Sequence, residues 1–370
     1  MLVLLAVLAI AGPVGLTLGW RRLAPRREGG RPPTPPDRFP SLALLKPRHA
    51  LLAITRLVAV LLCQALAISA VAVAVNRSFE FYDSWSDLFG RRQTGQIQVA
   101  NDGQLVPPDG SEGQVQILTV HGKVSDATEQ VLIWLPPQYN SEPKATFPVL
   151  MALPGQPGTP AGIFKILDLA HNATRAIAAG QAKPFVAVIP PLSIAAPRDT
   201  ECTDIPKGPQ ADSWLATDVK DVVVRHFRVT PEHWSAMGWS TGGFCAAKML
   251  LRHQTSFGAA VSIGGYFAAE EDHTTGVLFN HSSTLRRQNS PLWLLQHTLT
   301  YPVHLLIITS KGDRSSWSGV HYADSRLAVA AGRGVPGVNS IVLPSGGHNF
   351  STYAPTIEPA FSWLGTNAGL

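Results

Sequence analysis

Charge is scarce in this chain. Asp, Glu, Lys and Arg make up 15% of the 370 residues against 45% hydrophobic, a balance that suggests part of the polypeptide does not sit in water. Two runs carry no charge at all: Leu2 to Trp20, interrupted only by Pro13, and Leu57 to Val75, with Arg56 at its edge. Cysteine is nearly absent, and three residues allow at most one internal disulfide. No group of His, Cys and carboxylates has metal-ligand spacing, and no Gly-rich phosphate loop follows an early strand. Neither a metal nor a cofactor is therefore expected. There is no repeat at solenoid periods. The opening Met1-Leu2-Val3-Leu4-Leu5 lacks the positive residues that begin a cleaved signal peptide.

The charge that is present is unevenly placed. Arg21, Arg22, Arg26, Arg27, Arg31, Arg38, Lys46 and Arg48 face only Glu28 and Asp37 between the two apolar runs, so this loop outweighs the formal +5 of the whole chain. The basic character thus belongs to topology rather than to a nucleic-acid surface. Each run is long enough to cross a hydrocarbon core as a helix. Basic loops stay in the cytoplasm, which predicts two transmembrane spans at about 2–20 and 57–75, a cytoplasmic loop at 21–49, and an extracytoplasmic C-terminal part. Pro32-Pro33-Thr34-Pro35-Pro36 reads as an extended connector. Residues 1–75 form the expected plasma-membrane anchor and 76–113 a linker. The aromatics of Phe79 to Trp85 suit either a membrane interface or packing on the domain after them.

From residue 114 onward short β-like runs alternate with helical ones. Gln114 to Gly122 and Gln130 to Pro136 read as an antiparallel pair. Phe147 to Leu153, Phe185 to Pro190, Trp234 to Gly238, Ala259 to Ile263, Val303 to Thr309 and Ser340 to Leu343 read as buried strands. Helical patterns at Gly162 to Gly180, Ala211 to Phe227, Thr241 to His253 and Tyr322 to Gly332 separate most of the later ones. This alternation predicts an α/β domain over 114–370, a mainly parallel sheet with helices on both faces.

The stretch His233 to Cys245 centres the chain. A short apolar run ends in Gly238-Trp239-Ser240-Thr241-Gly242, and a small-residue helix follows. Strand, sharp turn and helix are the setting in which Gly-x-Ser-x-Gly exposes a nucleophilic serine. In an open α/β sheet the site lies at the carboxyl ends of the strands. There stand Asp313, in Ser310-Lys311-Gly312-Asp313, and His348, in Gly346-Gly347-His348-Asn349-Phe350. The order Ser, Asp, His is that of an α/β-hydrolase. His348 is expected to take the Ser240 proton and Asp313 to hold the other ring nitrogen, with Asp324 in reserve. Backbone donors for an oxyanion are expected from Thr241 and from the loop Leu153-Pro154-Gly155-Gln156-Pro157-Gly158. Proline lacks an N–H, so Gln156 is favoured there and Gly155 comes next.

These residues, with Trp214 to Val219, resemble the esterase group of α/β-hydrolases that includes esterase D, feruloyl-type esterases and the antigen 85 mycolyltransferases of actinobacteria. The resemblance covers about Gln114 to the C-terminus. It implies an acyl-enzyme on Ser240, with transfer to water or to a sugar hydroxyl. Pro154 stands where antigen 85 carries a trehalose-binding Asp, and Asp313 replaces its Glu, which weighs against a mycolyltransferase acting on trehalose. Cys63 lies in the second apolar run. Cys202 and Cys245 form either a disulfide at the wall of the site or two buried thiols. The expected partners are the membrane and an ester or acyl-lipid substrate, with a sugar acceptor in the transferase case. The expected function is a membrane-anchored extracytoplasmic serine esterase or acyltransferase. The rival is a silent hydrolase-fold module that binds envelope glycan or lipid.

Overall fold

Along each central strand the apolar side chains alternate between two cores. Val149, Met151 and Leu153 belong to one and Leu150 and Ala152 to the other, and Leu305 and Ile307 part from Leu306 and Ile308 in the same way. A strand with period two that is apolar on both faces must be covered on both. The computed structural model describes residues 47–79, 98–99, 105–106, 110–299, 303–317 and 337–370. Among these, nine strands form one sheet: β1 Gln98–Val99, β2 Gln114–His121, β3 Thr128–Leu135, β4 Val149–Leu153, β5 Val186–Ile189, β6 Trp234–Trp239, β7 Phe257–Ile263, β8 His304–Ser310 and β9 Val338–Leu343. Their order is β1-β2-β3-β5-β4-β6-β7-β8-β9. Strands β1, β2, β3 and β5 pair antiparallel in succession, and every pair from β5 through β4 to β9 is parallel.

Chain Met1–Phe79 and chain Glu80–Leu370 separate as two units. In the first, α1 spans Pro47–Phe79, 33 residues. It contains the expected second span; the expected first span lies outside the described residues. Val60, Leu61 and Leu62 point in three directions around α1 and are 42%, 54% and 59% exposed. Among the described residues no helix is long and apolar enough to cross a membrane. The structure thus shows one long helix where the second of two transmembrane helices is expected.

In the second unit short α2, Gln138–Ser141, follows β3. The expected helix at 162–180 is two: α3 Pro160–Ile166, capped by the Thr159 hydroxyl on the Gly162 amide, and α4 Leu169–Ala178. Asp168, at φ 42°, breaks them with a left-handed residue. Helix α5 runs through Ala211–Ser213, a π-bonded stretch Trp214–Val219 and Lys220–His226. Then come α6 Thr241–Arg252, α7 Ser283–Gln288, α8 Pro291–His297, α9 Phe350–Tyr353 and α10 Ile357–Ala368. The expected helix at 322–332 lies outside the described residues. Trp214, Phe244 and Leu250 from α5 and α6 cover one face, and Phe164, Ala173 and Phe361 from α3, α4 and α10 the other. Burying one large apolar side chain is worth about 1.5–3 kcal/mol, so two continuous cores hold the carboxyl ends of β4, β6, β8 and β9 in fixed register.

Candidate active site

Ser240 sits between β6 and α6 with φ 57° and ψ −120°, a conformation that costs a non-glycine residue on the order of 1–3 kcal/mol. The Ser240 amide is tied to the Ile263 carbonyl at 2.9 Å, on the neighbouring β7. Both flanking glycines are needed by close approach. A Cβ on Gly238 would lie 2.2 Å from the Gly242 carbonyl oxygen. One on Gly242 would lie 2.2 Å from the Leu153 carbonyl oxygen and 2.4 Å from that of Pro154. Gly238 therefore lets strand meet helix, while Gly242 lets the helix start meet the loop after β4.

The loops after β8 and β9 interlock in the same manner. Ser310 Oγ donates to the Gly346 carbonyl at 2.7 Å, and a Cβ on Gly312 would come within 2.6 Å of that oxygen. This joint places Asp313 beside His348. His348 Nδ1 is 2.7 Å from Asp313 Oδ2, and His348 Nε2 is 2.9 Å from Ser240 Oγ. The imidazole stacks on Trp239, with centroids 4.7 Å apart and planes 23° apart, so the residue between the glycine and the serine fixes the ring plane.

Asp313 is fully buried and surrounded by donors. Tyr353 Oη donates to Oδ2 at 2.5 Å. Oδ1 accepts from the Ser315 hydroxyl at 2.8 Å and from the Ser315 and Ser316 amides, each at 3.1 Å. Burial alone would raise this carboxyl, but the bonds from His348, Tyr353, Ser316 and Ser315 together outweigh it and hold the group well below the usual carboxylate range. Burial and the bond to Asp313 push the Tyr353 phenol far up, which keeps it a donor. Ser315 Oγ also lies 3.0 Å from His348 Nδ1, where it can accept the ring proton while donating to Asp313.

The loop after β4 presses on the serine: a Cβ on Gly155 would stand 3.2 Å from that of Ser240. Gln156 and Thr241 line one cavity of about 440 Å³. Its far wall is the loop after β5, held from behind by α6. Cys202 and Cys245 are joined at an S–S distance of 2.09 Å. Fully buried Lys248, one turn on, donates to the Cys202 carbonyl at 2.9 Å, the Thr203 hydroxyl at 2.9 Å and the Glu201 carbonyl at 3.2 Å. Burial pushes the Lys248 ammonium down to about 8.

The structure thus brings Ser240, His348 and Asp313 together, sets Thr241 and Gln156 on one cavity beside them, and bonds Cys202 to Cys245. Cys63 is the free cysteine among the described residues, and Asp324 lies outside them. Tyr353, Ser315, Trp239 and Lys248 escaped the reading of the sequence. A tyrosine and a tryptophan in apolar surroundings look like core. Lys248 was the one visible signal, a charge in the otherwise uncharged stretch Thr241 to Leu251 of a buried helix. Among the described residues no group of His, Cys, Asp and Glu is arranged to hold a metal ion.

A family model described as "Putative esterase" matches residues 125–361, more than half of the chain. The chain belongs to this esterase family. The matched residues include Ser240, Asp313 and His348. The chain is 24% identical over 257 residues to an uncharacterized protein of Corynebacterium glutamicum, covering 64% of its own length but 57% of that relative's length. Among solved structures it is similar to a ferulic acid esterase at TM-score 0.58 and 18% identity, covering 69% of this chain and 98% of that one. It is similar to an S-formylglutathione hydrolase from Agrobacterium tumefaciens at TM-score 0.60 and 15% identity, covering 74% and 100%. It is also similar to MPT51 of Mycobacterium tuberculosis at TM-score 0.51 and 15% identity, covering 68% and 97%. These likenesses show the α/β-hydrolase fold.

Proposed function

We propose that the esterase hydrolyses esters through an acyl-enzyme on Ser240. The observation that carries this reading is the continuous chain from Ser240 Oγ through both ring nitrogens of His348 to Asp313, with links of 2.9 and 2.7 Å. His348 Nε2 takes the proton as Ser240 Oγ attacks the ester carbonyl. The Thr241 and Gln156 amides receive the oxyanion, aided by the positive end of α6. The imidazolium, stabilised by Asp313, then protonates the departing alkoxide. Water repeats the cycle on the acyl-enzyme, giving the acid and free Ser240. Water is the acceptor in this reading; acylated sugar formed when trehalose is supplied would instead make the protein a transferase.

The test is covalent labelling by a fluorophosphonate. The wild type should label and Ser240→Ala should not. Folded wild type that takes no label would leave a binding module for glycan or lipid.

We infer further that residues 1–75 anchor the enzyme in the plasma membrane by two spans, with the catalytic part outside. The charge-free run Leu57 to Val75 inside the 33 residues of α1 supports this, as does the basic loop before it. A disulfide also suits an oxidising exterior. The full chain should resist alkaline extraction from membranes, and its C-terminal part should be cut by protease added to intact cells; release into the soluble fraction would contradict the anchor.

A further inference from the structure

The cavity beside Ser240 has an unusual lining for a site that accepts an ester. Asp199 and Glu201 form its floor, 5% and 1% exposed, and Glu270 and Asp272 stand at its exposed rim. Among the described residues, no Lys, Arg or His lines it. The cations nearby donate to backbone carbonyls, and two of them also act by charge on the acids, Lys248 on Glu201 and Arg286 on Glu270. Lys248 is spent on the carbonyls of Glu201 and Cys202 behind the wall. Arg198 donates to the carbonyls of Thr275 and Val277, and Arg286 to that of Ala269. Glu201 is satisfied by the Tyr266 hydroxyl at 2.6 Å and the Glu270 amide at 3.0 Å. Asp199 is not: Oδ1 accepts the Glu201 amide at 2.8 Å, and among the described residues Oδ2 has no donor. Burial, and then the charge of Asp272, raise the Asp199 carboxyl.

This lining selects by charge. A carboxylate only accepts hydrogen bonds. Methylenes laid over Asp199 would strip its water and return nothing, and an anionic group would meet like charge. A cation placed there pairs with Asp199 and relieves its repulsion with Asp272 at the rim. Resting on the esterase reading, we propose that this cavity receives a cationic, ammonium-type group of the ester substrate, which makes the enzyme selective for positively charged esters.

Two matched pairs of esters test this with the full-length enzyme. One pair carries the charge on the alcohol, butyrylcholine against 3,3-dimethylbutyl butyrate. The other carries it on the acyl chain, the p-nitrophenyl esters of 4-(trimethylammonio)butyrate and 5,5-dimethylhexanoate. In at least one pair kcat/KM for the cation should exceed that for its neutral isostere by about tenfold or more, which is about 1.4 kcal/mol. That ratio should fall severalfold in Asp199→Asn and in Asp272→Asn, and should shrink as salt rises. Asp272 is exposed, so its variant reports even where a change at the buried floor prevents folding. Ratios near one in both pairs, a preference for the neutral esters, or a cation preference untouched in both variants would overturn the proposal while leaving the esterase intact. Failure to turn over any ester together with failure to take a fluorophosphonate would bring down the esterase reading, and this inference with it.

Discussion

Replacing Asp313 by Asn keeps the shape of the side chain and exchanges one acceptor for a donor. The five groups around the carboxylate decide the orientation of the new amide. On the Oδ1 side stand the Ser315 and Ser316 amides and the Ser315 hydroxyl; on the Oδ2 side stand His348 Nδ1 and Tyr353 Oη. Backbone N–H groups cannot accept, so the amide NH₂ must turn toward His348 and Tyr353, whose nitrogen and hydroxyl can. His348 is then driven to carry its proton on Nε2, where it faces Ser240 Oγ as a donor and cannot take the serine proton. A triad trapped in the wrong tautomer loses about 10⁴ in kcat, or about 5.4 kcal/mol at 1.36 kcal/mol per tenfold. The assay is p-nitrophenyl ester hydrolysis, with thermal unfolding alongside to show that the variant is folded. A folded variant that loses less than about tenfold would refute the tautomer argument and Asp313 as the residue that holds His348. A second readout comes from acid unfolding. The Asp313 carboxyl is lower in the folded than in the unfolded chain, so its stabilisation is present above the unfolded value of about 3.9 and is lost as pH falls from there toward the folded value. Asp313→Asn should lack that component of the acid-induced loss.

Packing and burial set three other outcomes. Gly242→Ala drives a Cβ into the carbonyls of Leu153 and Pro154 at 2.2 and 2.4 Å, so the loop carrying Gln156 must move; soluble enzyme should lose at least about 100-fold in kcat, the scale of one oxyanion donor, and wild-type activity would sink the assignment of that loop. The disulfide spans 43 residues, for which loop-closure entropy gives about 4 kcal/mol; Cys202→Ala with Cys245→Ala should lower the denaturant midpoint, and an unchanged midpoint would contradict a formed bond. Burial raises Glu201 from 4.5 to about 8, so the folded state holds a proton that the unfolded state has released, and this group makes stability fall as pH rises across that interval. Glu201→Gln should flatten the decline between about pH 4.5 and 8, and an identical pH slope would show that Glu201 is not buried as described.

The central strands were legible because a strand buried on both faces leaves an uninterrupted apolar run, as in Val149–Leu153 and in residues 305–308; β9 was expected to be buried as well, but it buries only Val338, as an edge strand. The serine was legible because its glycines answer a local demand, two backbones closer than a Cβ permits. Asp313 and His348 were legible only through their place at strand ends, since the contact between them joins residues 35 apart. Legibility failed where nothing local marks the event. Asp168 breaks a continuous helical pattern by adopting φ 42°, which a tertiary fit imposes and propensity does not announce. Short helices such as Ser283–Gln288 bury none of their own residues and show no apolar period. Tyr353 reads as a core aromatic until its hydroxyl is seen on Asp313. The acidic floor escaped because Asp199 and Glu201 are brought to Thr241 by Lys248 and the disulfide, across more than forty residues.

The central claim is that Ser240 carries the acyl group. It is met most directly by mixing the enzyme with p-nitrophenyl acetate, quenching in acid within the first turnover and mapping the mass gain by peptide. One acetyl group on the peptide that contains Ser240, absent from Ser240→Ala, is the outcome expected. Hydrolysis by wild type with no acetylated peptide, or with the acetyl group elsewhere and turnover surviving in Ser240→Ala, would contradict it.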